Sequence, residues 1–215
     1  MEWPNADSSR GEWLVGLENW VVPDGNYGDF AVGQRRRFAI ELFSRAGLQA
    51  TPNRMTAASL GPNLSYDISA KVAYRTAKVT VIDLGLLAYV AQNVEVDPTV
   101  GWVAGNAILN VDPFFYADEH AKLDGVPPAI YTWTIAAIWA ETGPMIPIRH
   151  GILRRRAGFK RDPRKVSWVA VASTEERLVG ARPEMKPPVM YESTRTAYVM
   201  RCRLGEEPPV LGPKD

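Results

Sequence analysis

The run Tyr66-Asp67-Ile68-Ser69-Ala70-Lys71-Val72-Ala73-Tyr74-Arg75 decides the fold class. Tyr66, Ile68, Ala70, Val72 and Tyr74 fall on one side of an extended chain, and Asp67, Ser69, Lys71 and Arg75 on the other. Successive side chains of a strand point to opposite faces, so a period of two predicts a strand with one face on a core and one toward water.

The pattern recurs on both sides of this run. Downstream, residues 79–90 are aliphatic and β-branched around Gly85, a glycine that inside a strand marks a bulge or a close backbone approach. In residues 102–111, Val103, Leu109 and Val111 share a face opposite Asn106 and Asn110. Residues 130–139 place Tyr131, Trp133, Ile135, Ala137 and Trp139 against Thr132, Thr134 and Ala136, with the aromatic and β-branched content of a strand. Further strands are expected at 166–172 and 194–204, the latter with Tyr198, Met200, Cys202 and Leu204 on one face. Upstream, residues 35–43 read as one half-buried strand with Phe38, Ile40 and Leu42 inward, and 49–63 as a long connection carrying Pro52, Asn53, Gly61 and Pro62. Residues 12–22 form a Trp- and Val-rich strand that stops at the turn cluster Pro23-Asp24-Gly25-Asn26.

One helix is expected. In Asp112-Pro113, the carboxylate serves as N-cap and proline, which lacks an N–H, takes the first helical position. That helix runs from Pro113 to about Lys122 and ends before Gly125-Val126-Pro127-Pro128.

About eight strands with one short α-helix near 113–122 and a β-rich C-terminal extension imply a mainly β protein, an antiparallel barrel or sandwich. Residues 12–140, read as five strands with a helix before the last, also resemble in element order the partly open Greek-key barrel of the OB-fold, an architectural likeness that carries no function with it. The expected organisation is a disordered N-terminus over 1–11, a barrel-like core over 12–148, a basic segment with strands packing on that core over 149–205, and a loose tail over 206–215.

Composition narrows the class of protein but not its task. The 215 residues carry a formal charge of +1, so only the distribution of charge is informative. The single cysteine, Cys202, cannot close an internal disulfide, and the opening residues lack a charged-then-apolar leader, so a cytoplasmic location is expected. The longest weakly polar run, 129–140, falls well short of the roughly 20 residues that cross a bilayer as a helix, and no membrane partner is expected.

Catalytic signatures are scarce. Asp112, Asp118, Glu119, His120 and Asp124 crowd around the expected helix, but no H-x-x-x-H pair accompanies them, and they read as a solvated helix face. No G-x-S-x-G elbow is present, and Cys202 sits mid-strand on an apolar face, where a thiol is inert packing. Gly101 and Gly105 bracket strand residues and form no phosphate cradle. The expectation is no catalytic residue, no metal and no cofactor.

Two groups of residues are candidates for recognition. The first is aromatic: Asp24, Tyr27 and Phe30 in the loop 23–30, together with Trp102, Phe114, Phe115, Tyr131 and Trp133. Rings at this density pack a core or line a pocket for a partner. The second is basic: Arg35, Arg36 and Arg37, then Arg149, Arg154, Arg155, Arg156, Lys160, Arg161, Arg164 and Lys165 around Phe159. A basic groove with interleaved aromatics is how single-stranded nucleic acid is held.

The leading expectation is a non-enzymatic β-barrel binding protein that recognises a protein partner or small ligand through the aromatic set or the basic segment. A second is single-stranded nucleic-acid binding with both basic runs on one face. A third is a small-molecule enzyme using Asp112, Glu119 or His120 in an aromatic-lined pocket.

Overall fold

The computed structural model describes residues 7–18, 20–22, 27–90, 101–142, 145–148, 158–161, 164–175, 179–180, 191–192 and 197–212. It is mainly β, as the alternation predicts. The strands are β1 (Glu12–Leu17), β2 (Arg35–Phe38), β3 (Ile40–Phe43), β4 (Gln49–Ala50), β5 (Ala57–Leu60), β6 (Tyr66–Arg75), β7 (Thr80–Asp83), β8 (Leu87–Val90) and β9 (Trp102–Val111). After α1 (Phe115–Asp118), the one α-helix among the described residues, come β10 (Tyr131–Thr142), β11 (Met145–Ile148), β12 (Gly158–Arg161), β13 (Ser167–Val171), β14 (Val179–Gly180), β15 (Tyr191–Glu192) and β16 (Tyr198–Leu204).

A closed five-stranded barrel lies at the centre. β6, β7 and β8 form an antiparallel meander; β8 pairs in parallel with β3, β3 antiparallel with β9, and β9 antiparallel with β6 to close the ring. The barrel is therefore mixed, not purely antiparallel. A second circuit of pairings leaves by the neighbouring strand segment β2, crosses β10, β16 and β1, and returns to β9 through the single bridge Gly16–Asn110. A Cβ on Gly16 would stand 2.3 Å from Asn110 Oδ1, so only glycine admits this approach without moving its neighbour. The OB-like reading put a helix before the last barrel strand; α1 instead follows β9, the last strand of the ring, and β10 belongs to the second circuit.

Several sequence expectations are corrected. Residues 35–43 are two strands that turn a corner at Ala39, β2 pairing with β10 and β3 with β8 and β9. The strand expected over 12–22 ends at Leu17. The connection 49–63 contains β4 and β5, which pair with β9 and β6. The helix expected over 113–122 is one α-turn, Phe115–Asp118, followed by a 3-10 turn at His120–Lys122, because Phe114 at φ 79° is left-handed and blocks any helical start at Pro113. A bulge between Ile135 and Ala137 inverts the alternation of β10: Tyr131, Trp133 and Ile135 are buried, then Ile138 and Ala140, while Ala137 and Trp139 are only half-buried.

Parts of both ends are described. Residues 7–11 hold a 3-10 turn at Ser8–Arg10, with the N–H groups of Arg10 and Glu12 both donating to the Asp7 carbonyl. Val210 exchanges two backbone bonds with Ile130, so the start of the tail is pinned to the sheet. One apolar cluster joins the barrel and the second circuit, from Trp13 and Val15 through Phe38, Ile40 and Leu109 to Trp133, Met200 and Cys202. No helix among the described residues is long and apolar enough to cross a membrane.

Candidate binding face

The aromatic candidates are brought together, as a chain of rings running inward. Phe114 lies 4.6 Å from Tyr27, Tyr27 5.6 Å from Phe30, and Phe30 6.1 Å from Phe38. Phe38 stacks on Trp133 at 5.3 Å and 12°, and Trp133 meets Tyr131 edge-on at 6.0 Å. Phe30, Tyr131 and Trp133 are buried, and the Trp133 indole N–H donates to the Phe38 carbonyl at 3.1 Å. These rings pack against one another at the junction of β2 and β10. Trp102 stands apart, opposite Lys71 at the far end of β9, and Phe115 is 47% exposed. Asp24 lies outside the described residues.

The acidic candidate Asp112 is committed to structure. It is buried; its Oδ1 accepts the Tyr89 hydroxyl at 2.6 Å, and both oxygens face the Tyr116 N–H at 3.1 and 3.2 Å. The carboxylate thus satisfies a helix-start donor as expected of a cap, but from two residues before the position that enters the helix. The Tyr27 hydroxyl donates to the Asp112 carbonyl at 2.8 Å. Burial pushes the Asp112 carboxyl up to about 6, against the lowering effect of its hydrogen bonds. Glu41, beside Tyr89 on β8 and Asn110 on β9, rises to about 7 by burial first and then by the charge of Asp112. Burial also raises the hydroxyls of Tyr27 and Tyr89, each further opposed by Asp112, and raises the Cys202 thiol, which fits inert packing. His120 sits edge-on to Tyr89 at 5.3 Å and its pKa is lowered by burial, while Glu119 is exposed. Among the described residues, no three His, Cys, Asp or Glu side chains gather as metal ligands.

The basic candidates are divided by strand geometry. On β2, Arg35 and Arg37 point outward, and Arg36 points to the side of Phe38. Arg36 lies over the Phe30 ring at 5.8 Å and donates to the Asp29 carbonyl at 2.8 Å, so it packs the aromatic chain from above. Arg35 and Arg37 stand opposite Thr134 and Thr132 of β10. Thr134 is also opposite Arg203 of β16, and Arg203 is opposite Glu12 of β1, to which it bonds at 2.9 Å. An outward rank therefore reads Arg35, Thr134, Arg203, Glu12 across four strands.

Beside this rank, Arg35, Arg36, Arg37, Thr132 and Glu207 line an open groove of about 270 Å³. Glu207 reaches in from the C-terminal segment and accepts a hydrogen bond from the Arg35 guanidinium. Its carboxyl is held below the usual range by that bond first. The sequence pointed to the three arginines and missed Thr132, Arg203 and Glu207. The outward position of Arg203 was legible in the alternation of its strand, but its neighbours depend on strand order.

The second basic run does not join this groove where it can be placed. Arg149, Arg154, Arg155 and Arg156 lie outside the described residues, as do the side chains of Phe159, Lys160 and Arg161. Arg164 and Lys165 are exposed just before β13, whose first residue Ser167 pairs with Thr142. Thr142 is eight residues along β10 from Thr134, or about 26 Å at ~3.3 Å per residue. Compared with protein-family models, curated proteins and solved structures, the chain gives no match.

Proposed function

We propose that this protein is a non-catalytic binding protein that recognises an acidic protein partner through the groove beside β2, with Arg35 and Arg37 as the recognition residues. The observation that carries the reading is the carboxylate of Glu207 seated on Arg35 in an otherwise open groove. Guanidinium groups pair with carboxylates through directed, charge-assisted hydrogen bonds, and Thr132 adds a neutral donor and acceptor to the same lining. A non-catalytic role is supported by Asp112, whose oxygens are taken up by Tyr89 and Tyr116. A protein partner is favoured over nucleic acid because the rings nearest the arginines, Phe30, Phe38 and Trp133, are buried and offer no face for a base to stack on. A lone buried thiol at Cys202 suits a reducing compartment and supports a cytoplasmic location.

The test is fluorescence anisotropy with a fluorescein-labelled hexaglutamate at low and at physiological salt. Wild-type protein is expected to bind at low salt and to weaken as salt screens the contact. The double variant Arg35→Gln, Arg37→Gln is expected to bind at least about tenfold more weakly, since two charge-assisted bonds are worth roughly 1.5 kcal/mol or more together. Equal binding by the two proteins would move the recognition surface elsewhere.

A further inference from the structure

Glu207 reaches the groove from a segment held to the sheet at both ends. The Gly205 N–H donates to the Thr132 carbonyl at 2.8 Å, and Val210 and Ile130 exchange bonds of 2.9 and 3.0 Å. From Gly205 to Val210 the segment takes five steps, while the strand beneath takes two, from Thr132 to Ile130. The intervening residues, Glu206, Glu207, Pro208 and Pro209, lie opposite Tyr131 alone and must arch outward, and the arch carries the Glu207 carboxylate over the arginines. Pro208 and Pro209 offer no N–H, so the arch, which bends at Glu206 and Glu207, cannot fold into the ladder. Glycine is required at its root: a Cβ on Gly205 would lie 2.9 Å from the Thr132 carbonyl oxygen and 2.6 Å from Glu207 Oε2.

We propose that residues 206–209 are a built-in competitor for the groove, whose partner is an acidic peptide segment that displaces Glu207 from Arg35 on binding. The inference rests on the reading of the groove as a recognition surface. The competitor shows the chemistry of the partner it excludes: a carboxylate set against a guanidinium. It is also weak enough to be displaced. The Arg35–Glu207 pair is exposed on both sides, and pairs of this kind contribute little against solvent. Tethering at both ends raises the local concentration of Glu207 instead, so the groove opens only to a partner that brings more than one carboxylate.

The experiment compares wild type with Glu207→Gln, which removes the competing charge, and with Gly205→Val, which lifts the arch and leaves every charge in place. Glu175→Gln, at an exposed position that does not line the groove, controls for net charge. Labelled hexaglutamate and a labelled oligothymidine of matched charge are titrated into each, with Arg35→Gln, Arg37→Gln alongside and thermal unfolding confirming that each variant folds. Glu207→Gln and Gly205→Val are expected to bind hexaglutamate about threefold to fivefold more tightly than wild type, the release of one exposed ion pair, and Glu175→Gln to bind like wild type. Unchanged affinity in Glu207→Gln, with binding still lost in the double arginine variant, would overturn the competitor and leave the groove standing. Binding that ignores the arginines, or no hexaglutamate binding by any of the proteins, would remove the groove and the competitor together. Tighter binding of oligothymidine than of hexaglutamate by Glu207→Gln would overturn the acidic peptide as partner.

Discussion

Asp112 carries the sharpest single-residue consequence. Its carboxyl is raised to about 6 in the fold, against about 3.9 in an unfolded chain. The folded state therefore holds the proton more tightly, and the stability this contributes is complete below about pH 4 and lost as pH rises through about 6. Substituting Asp112→Asn removes the titration while Tyr89 keeps an acceptor. The loss of unfolding free energy between pH 4.5 and pH 8 is expected to be about 2 kcal/mol smaller in the variant, measured by urea unfolding at both pH values. Glu41, raised to about 7, has the same sign and owes part of its rise to the charge of Asp112, so Asp112→Asn relaxes it as well and the difference grows in the same direction. Parallel pH profiles would show that Asp112 is better solvated than its burial implies. At this scale the sequence was informative about residue type and less so about use. Asp112 was legible as a capping carboxylate, but its bond to Tyr89 joins residues 23 apart, and no local pattern announces it.

At the scale of elements, the crossing of β1 over β9 is the most exacting contact. It is a single bridge between Gly16 and Asn110, and the space is set by a missing side chain. Gly16→Val is expected to destabilise the protein by about 2 kcal/mol, the usual range for forcing carbons into a packed site. Asn110→Ala in the same chain should recover a large part of that loss, because the predicted clash is with the Asn110 side chain. Thermal unfolding of the two single variants and the double variant decides it, and strictly additive losses would place the strain elsewhere. Strand existence was legible wherever alternation was clean, as in β6 and β9. Strand continuity was not. The corner at Ala39 and the bulge at Ala136 each occur inside runs that look uninterrupted, because a bulge costs one residue of register and leaves composition unchanged.

Across the whole molecule, β16 is the strand that joins the ends of the chain. Its residues 198–203 pair with β1 at 12–17, and its other edge pairs with β10 from Trp133 to Ala140. A chain truncated after residue 196 leaves both neighbours with open edges and exposes the packing around Met200 and Cys202. It is expected to show no cooperative thermal transition and no near-ultraviolet circular dichroism of ordered aromatics; a sharp transition would mean that the remaining strands are stable by themselves. Folding of the intact chain has to wait for this long-range pairing, since loop closure precedes its reward. The sequence by itself determined that this is a β protein, which faces of its main strands are apolar, and that Cys202 is packing, because these follow from side-chain period and residue type. The tertiary structure alone decided which strands are neighbours, and with them the mixed barrel, the burial of Phe30, Tyr131 and Trp133 and the meeting of Arg35, Thr132 and Glu207. The physical reason is that strand pairing is made by backbone groups that are the same at every residue, so partners far apart in sequence are chosen by the shape of the assembled core.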